Sequence, residues 1–314
     1  MITLYKTDFE SVRPVKTRGK SGMLRIRQRF DKYRIEKRLG EGGFATIYQA
    51  YDSIEGIRVA LKIPHQEVVC DNLLKDLKNE VRVLARLNHT HILPLKYAAF
   101  IENKFVIVTP LGEQTLNERL RKRMSLELTL NFAEQMLEAV AFAHEHRVMH
   151  CDIKPENMIL FENNHLRLAD FGIAKIALRT VRSSGSGTLG YMAPEQAMGK
   201  PSFRSDVFSL GLIIYRMLAG KWPEWPYEWP LPGHRRLKQK VPAEFIEFLK
   251  KSLQVNPKKR FTDAQHMLKE FRRLKSQALK LAASKRAKKT TKRSGTTRKS
   301  KSRSNGVRAL RRIA

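Results

Sequence analysis

The feature that most constrains this chain is a change of hydrophobic period about a third of the way along it. Up to Thr109 the apolar residues follow a strand pattern: Tyr33, Ile35 and Leu39, then Ile47 and Tyr48, then Val59, Leu61 and Ile63, with glycines between the runs. One helical stretch interrupts this at 72–88, with Leu77, Val81, Leu84 and Leu87 on one face and Asn72 as its cap. Short strands follow near 95–101 and 104–109. After Gly112 the spacing becomes helical. A long amphipathic run from Leu126 to His146 leads, and helices follow at about 203–218, 243–253 and 262–282. Only Met158–Phe161 and Leu166–Ala169 read as strands in this part. Strands first and helices later predict an α+β chain of two lobes.

Composition excludes several alternatives. The chain has 314 residues and 42% apolar content, enough for a core. Its two cysteines, Cys70 and Cys151, cannot staple a disulfide framework, and their spacing matches no zinc site. The longest apolar stretch, Leu210 to Leu218, is too short to span a bilayer and contains Arg216. The opening residues carry acids and lack an apolar core, so they do not read as a secretory signal. The expectation is a cytoplasmic protein. The anomaly is a formal charge of +31. It is unevenly spread: residues 272–314 hold 17 Lys/Arg and no acid, and residues 1–34 carry a net +7. That leaves only +7 on the long middle of the chain.

Within that middle, Leu39-Gly40-Glu41-Gly42-Gly43-Phe44-Ala45-Thr46-Ile47 is a glycine-rich turn between two strands. Glycines let backbone N–H groups approach phosphate oxygens, although such hairpins are common without any ligand. Lys62 then lies inside an apolar strand, where an unpaired ammonium is costly. It either snorkels at a strand edge or pairs with Glu80, 18 residues on, in the first helix. His150-Cys151-Asp152-Ile153-Lys154-Pro155-Glu156-Asn157 follows the long helix, and Asp170-Phe171-Gly172 closes the next strand, 13 residues beyond Asn157.

This ordered set resembles the eukaryotic-type serine/threonine protein kinase family over residues 33–271. The resemblance extends through Gly187-Thr188…Tyr191-Met192-Ala193-Pro194-Glu195, Ser205-Asp206-Val207-Phe208-Ser209-Leu210-Gly211 and Asn256-Pro257-Lys258-Lys259-Arg260. It implies a bilobal protein kinase fold, with a small antiparallel-sheet N-lobe over about 33–109 and a mainly helical C-lobe over about 113–271. It also implies ATP and Mg²⁺ (or Mn²⁺) as cofactors and a protein Ser/Thr hydroxyl as acceptor. Residues 39–47 would cover the phosphates, and Lys62, paired to Glu80, would hold them. Asn157 and Asp170 would bind metal through oxygen. Asp152 would take or orient the acceptor proton, and Lys154 would face the γ-phosphate, a placement similar to the serine/threonine class. Thr109, Pro110, Leu111 and Gly112 would flank the adenine. His150 and Phe171 read as packing residues, Glu195 and Arg260 as a structural ion pair, and Asp206 as a brace for the catalytic loop. The compact catalytic region and the WPEWPYEWPLPG stretch at 222–233 resemble bacterial members.

Two positions depart from the family pattern. Ala45 replaces a glycine and stiffens the turn. Cys151 stands where the family usually has arginine, a non-RD arrangement, and a thiol cannot make a charge-assisted fork to a phosphorylated loop. This predicts activity without phosphorylation of Thr180, Ser183, Ser184 or Ser186. Cys151 itself reads either as an inert buried thiol or as a redox switch. The competing functions are a pseudokinase-type ATP-binding scaffold, which usually lacks a base or metal residue that is present here, and a nucleic-acid-associated binding module. The second rests on residues 272–314, expected as a basic, largely disordered tail, with residues 1–32 as a basic extension. Such a tail either contacts nucleic acid or another polyanion non-specifically, or is a solvated arm. Flexible, its 43 residues would span about 35 Å, bringing its ten Ser/Thr within reach of autophosphorylation.

Overall fold

The computed structural model describes residues 23–42, 45–65, 71–171 and 189–308, and the chain divides into two compact units. The first holds the residues up to Asn88 together with Leu93–Gly112; the second holds His89–Ile92 and Glu113 onward.

In the first unit the alternating pattern becomes a six-stranded antiparallel sheet of order β1-β2-β3-β4-β6-β5. Its strands are β1 (Arg29–Phe30), β2 (Tyr33–Glu41), β3 (Ala45–Asp52), β4 (Ile57–Pro64), β5 (Tyr97–Ile101) and β6 (Lys104–Pro110). Register follows burial: Tyr33, Ile35, Tyr48, Ala50, Val59, Leu61, Val106 and Val108 form one buried cluster, and a one-residue slip of any strand would turn its members outward. Leu24 and Phe30 belong to the same cluster. The packed unit therefore begins ahead of Tyr33, earlier than the extension expected over 1–32 allows. Helix α1 (Asp71–Arg86) buries Leu77, Leu84 and, just past its end, Leu87, as its spacing predicts, but gives the place expected for Val81 largely to Glu80.

The second unit is built on helices: α2 (Leu116–Arg119), α3 (Leu126–Glu145), α4 (Pro194–Ala197), α5 (Phe203–Ala219), α6 (His234–Lys240), α7 (Ala243–Ser252) and α8 (Ala264–Arg308). A small antiparallel sheet of β7 (Gln114–Thr115), β8 (Met158–Phe161) and β9 (His165–Leu168) accompanies them. Ser125 caps α3 by accepting from the Leu128 N–H, and Thr115 with Glu118 forms a capping box on α2. Helix α5 is apolar almost all round and is buried accordingly, from Ser205 to Ala219 except for Arg216. It stops at Gly220, whose φ of 69° is open to glycine at little cost.

Helix α8 differs from the expected disordered tail. Ala264, Met267, Phe271, Leu274 and Ala278 form its buried stripe, so packing continues past residue 271, and the helix runs on to Arg308. No proline interrupts this stretch, and Lys, Arg and Ala supply good helix-forming positions, diluted by Ser, Thr and Gly beyond Ser284. Its 45 residues correspond to about 67 Å of helix.

Candidate active site

The predicted site residues fall into two preformed groups, one in each unit.

In the first unit, β2 and β3 carry the glycine-rich turn. Gly40 pairs with Ile47 and Glu41 with Thr46, and the Gly42 N–H donates to the Ala45 carbonyl at 2.9 Å. A side chain at Gly40 would meet no atom of the described residues within 4 Å. Leu39 is exposed at this end of β2, while Thr46 is buried with its hydroxyl 2.9 Å from His65 Nε2, serving the hairpin. Gly43 and Phe44 lie outside the described residues. On β4, Val59, Leu61 and Ile63 alternate into the core, which leaves Lys62 on the opposite face of the strand. Its Nζ lies 3.1 Å from Glu80 Oε1, and both side chains are largely shielded from water. The carboxylate supplies the partner that an ammonium in such a strand needs. Thr109 and Pro110 pair with Ala60 and Val59 at the end of β6, with Leu111 and Gly112 following.

In the second unit, the β8–β9 ladder sets the rest. Met158 pairs with Leu168, and the next rung joins the Ala169 N–H to the Asn157 carbonyl at 2.8 Å. Asn157 and Asp170 are thus neighbours across a hairpin although 13 residues apart. Asn157 Nδ2 donates to the Asp152 carbonyl at 2.9 Å and to Asp152 Oδ2 at 3.0 Å. With its nitrogen so used, its amide oxygen is the atom suited to a hard cation. Lys154 Nζ lies 2.9 Å from the same Asp152 oxygen. The Asp152 carboxylate is therefore held from two sides, while about a quarter of its side chain stays open to solvent (26%).

Beneath it, Asp206 of α5 is a hub. Its Oδ2 accepts from the His150 N–H at 2.8 Å and from His144 Nε2 at 2.9 Å, and its Oδ1 accepts from the Cys151 N–H at 2.8 Å. Burial alone would raise this carboxyl, but the hydrogen bonds from His144 and from the His150 backbone hold it below the usual range. Because His144 Nδ1 accepts from the Ala264 N–H, its Nε2 carries the proton. His150 is fixed in the same way: Nδ1 accepts from the Asp152 N–H, Nε2 donates to the Ala169 carbonyl, and the ring meets Phe171 edge-on. Cys151 has φ 59° and is buried; burial first, then the charges of Asp206 and Asp152, push its thiol pKa upward. The thiolate is thereby suppressed, which removes the basis of a redox role.

Two supports had no signal in the sequence. Gln196 Nε2 donates to the Cys151 carbonyl, and Ser205 Oγ donates to Glu195 Oε1 at 2.7 Å. The first joins residues 45 apart in the chain, and the second joins α5 to α4. Glu195 and Arg260 form a two-pronged pair at 2.7 and 2.9 Å, and the Arg260 side chain is fully buried. Tyr191 is buried against Trp222 and bonded to Arg216, which fastens the segment resembling a substrate-side loop.

A model of the protein kinase domain matches residues 33–271 of this chain. The chain belongs to the protein kinase family. Among similar kinases, CBL-interacting serine/threonine-protein kinase 19 of Arabidopsis thaliana is 31% identical over 247 residues, 74% of this chain and 51% of that protein. The Aurora kinase of Schizosaccharomyces pombe is 33% identical over 252 residues, 75% of this chain and 70% of that one. Probable serine/threonine-protein kinase PknB of Lactococcus lactis is 26% identical over 257 residues, 76% of this chain and 41% of that one. The chain thus spans about half the length of its Arabidopsis relative. The crystal structure of the Mycobacterium tuberculosis PknI kinase domain shares the fold, with a TM-score of 0.63 and 21% identity over 80% of this chain and 99% of that domain. Among the described residues, no helix is long and apolar enough to cross a membrane.

Proposed function

We propose that this chain is an active protein kinase that transfers the γ-phosphate of ATP to protein serine or threonine hydroxyls. The observation that carries this is the Asp152 carboxylate, held by Asn157 and Lys154 at hydrogen-bonding distance and still partly open to solvent. A general base needs that combination: fixed orientation, a reachable lone pair and a nearby cation for the transferring phosphate. Lys62, oriented by Glu80, and the glycine-rich turn are suited to the ATP phosphates, and Thr109–Gly112 to the adenine. Asn157 and Asp170 fit Mg²⁺, which favours one or two protein oxygens plus phosphate oxygens over an all-protein cage. In keeping with this, no group of three or more His, Cys, Asp or Glu gathers among the described residues. When bound, the ion would neutralise phosphate oxygens; the chain's own part is to hold those two oxygens in place and to orient the acceptor hydroxyl.

A Mg²⁺-dependent phosphotransfer assay with phosphosite mapping tests this reading. Asp152→Asn should lower turnover by about 10²–10⁴-fold while leaving thermal unfolding unchanged, and modified residues should be serine and threonine. Equal transfer by wild type and Asp152→Asn, or ATP binding without transfer, would favour the scaffold reading instead.

The non-RD character adds a second expectation. With Cys151 in place of arginine, no guanidinium at that position awaits a loop phosphate, and Asp206 and Gln196 already fasten the loop backbone. Alanine at Thr180, Ser183, Ser184 and Ser186 together, all outside the described residues, should leave turnover within about threefold of wild type, a change of under about 1 kcal/mol in barrier. Abolished turnover in a folded quadruple variant would refute it.

A further inference from the structure

The fold gathers three basic segments that are remote in sequence at one end of the second unit. Helix α8 starts beside the C-terminal end of α3, at His144, and runs antiparallel along it. Arg272 bonds to Glu134 at 2.9 Å and Glu138 at 2.5 Å, Lys275 bonds to Glu134, and Arg286 reaches Glu127, in the first turn of α3, at 3.2 Å. Immediately before that turn lies Arg119-Leu120-Arg121-Lys122-Arg123, with Arg121, Lys122 and Arg123 exposed. On another side, Lys285 Nζ donates to the Gln239 carbonyl at 2.8 Å, at the end of α6. That helix reads His-Arg-Arg-Leu-Lys-Gln-Lys, with Arg235, Arg236 and Lys238 exposed.

Of the acids at this end, Glu118 is folded back on Thr115 in its capping box and Glu127 faces Arg286, while Glu244, just past α6, is exposed. Lys240, at the end of α6, is pushed down to about 8, by burial first and by Arg236 next. Beyond Arg286 the helix continues to Arg308, and no acidic residue follows Arg272.

We propose that Arg121–Arg123, the exposed bases of α6 and Lys285 and Arg286 of α8 form one composite face that binds the phosphate backbone of duplex nucleic acid. This goes beyond phosphotransfer and does not depend on it. Lys285 and Arg286, tied to α6 and α3 and flanked by two further basic segments, hold exposed charge on a fixed backbone, which suits the regular phosphates of a duplex. A membrane surface is a poorer match, because among the described residues no exposed large apolar side chain lies in 119–124, 234–240 or 280–287 to insert. Single strands are also poorer, because no aromatic follows Phe271 to stack on bases. Binding by phosphate contacts alone is independent of sequence and steeply dependent on salt.

Fluorescence anisotropy of a mixed-sequence DNA duplex with the full chain, across a salt series, is the test. Wild type should bind with a log–log salt slope of about −5 or steeper for six or more phosphate contacts. The triple variant Arg121→Gln, Lys122→Gln, Arg123→Gln and the double variant Arg235→Gln, Lys238→Gln should each flatten that slope by about 1–2 and weaken binding about tenfold. Their thermal unfolding and basal phosphotransfer should match wild type. Absence of binding by wild type overturns the proposal. So do unchanged slopes in both variants, which would assign binding to the helical arm alone, and phosphatidylserine vesicles bound as tightly as duplex at equal salt, which would assign the face to a membrane.

Discussion

Arg260 uses nearly its whole guanidinium. Besides the two-pronged contact with Glu195, it donates to the carbonyls of Gln254, Val255 and Arg204 and lies over the Phe208 ring. One side chain thus ties the end of α7 and the start of α5 to α4. Its removal leaves a mostly buried carboxylate and three carbonyls without their donor, so Arg260→Ala should destabilise the protein by about 3–5 kcal/mol. Chemical denaturation checks this. Arg260→Lys, which cannot reproduce the fork, should recover only part of the loss. A cost under about 1 kcal/mol would mean the pair is a surface-type bridge. Residues at this scale were unequally legible. Lys62, Glu80, Asp152, Asn157 and Asp170 are recognisable because their chemistry is written in short motifs at fixed spacing. His144 and Gln196 are not, since each acts through a contact across 62 or 45 residues that only the folded chain creates.

At the scale of elements, α5 is the clearest case of packing dictating sequence. Gly211 has an ordinary helical backbone, yet a Cβ there would sit 2.8 Å from Ser252 Cβ and 3.2 Å from Leu253 Cδ2 at the end of α7. Neither neighbour is the free end of a long side chain, so the helices would have to part. Gly211→Ala should therefore cost about 1–3 kcal/mol despite alanine's better helix propensity. A rise in unfolding temperature would contradict this. The longer elements were legible from period alone: α3, α5 and β4 lie within a residue or two of where apolar spacing puts them, and the four-residue β8 and β9 show as apolar runs. Four other short ones were not. β1, β7, α2 and α6 run two to seven residues, too few to establish a period, and they form because tertiary neighbours supply their partners. The tail failed for the opposite reason. Composition spoke against a buried face, correctly from Ser284 to Ala287, but a helix does not need a buried face throughout once α3 anchors its first turns.

For the molecule as a whole, +31 describes two different things. The catalytic region carries a modest excess, and most of its acids are in use as structural partners. Asp206 and Glu195 both have carboxyls held below the usual range; in Glu195, burial opposes this and the bonds from Arg260 and Ser205 prevail. A depressed folded-state pKa means the stabilising contribution is complete above the unfolded value and disappears as pH falls through the folded one. Unfolding temperature should hold steady from about pH 7 to about pH 5 and drop steeply below about pH 4. Calorimetry across that series checks it; a loss centred near pH 6 would point to the histidines instead.

The Asp206 hub has a consequence for time as well as for geometry. The amide hydrogens of His150 and Cys151 both end on its carboxylate, inside a helix with no exposed face over most of its length. They can exchange with solvent only when that helix itself opens, which places them among the slowest amides of the chain. Asp152, one peptide further on, hangs from backbone anchored on the buried helix α5.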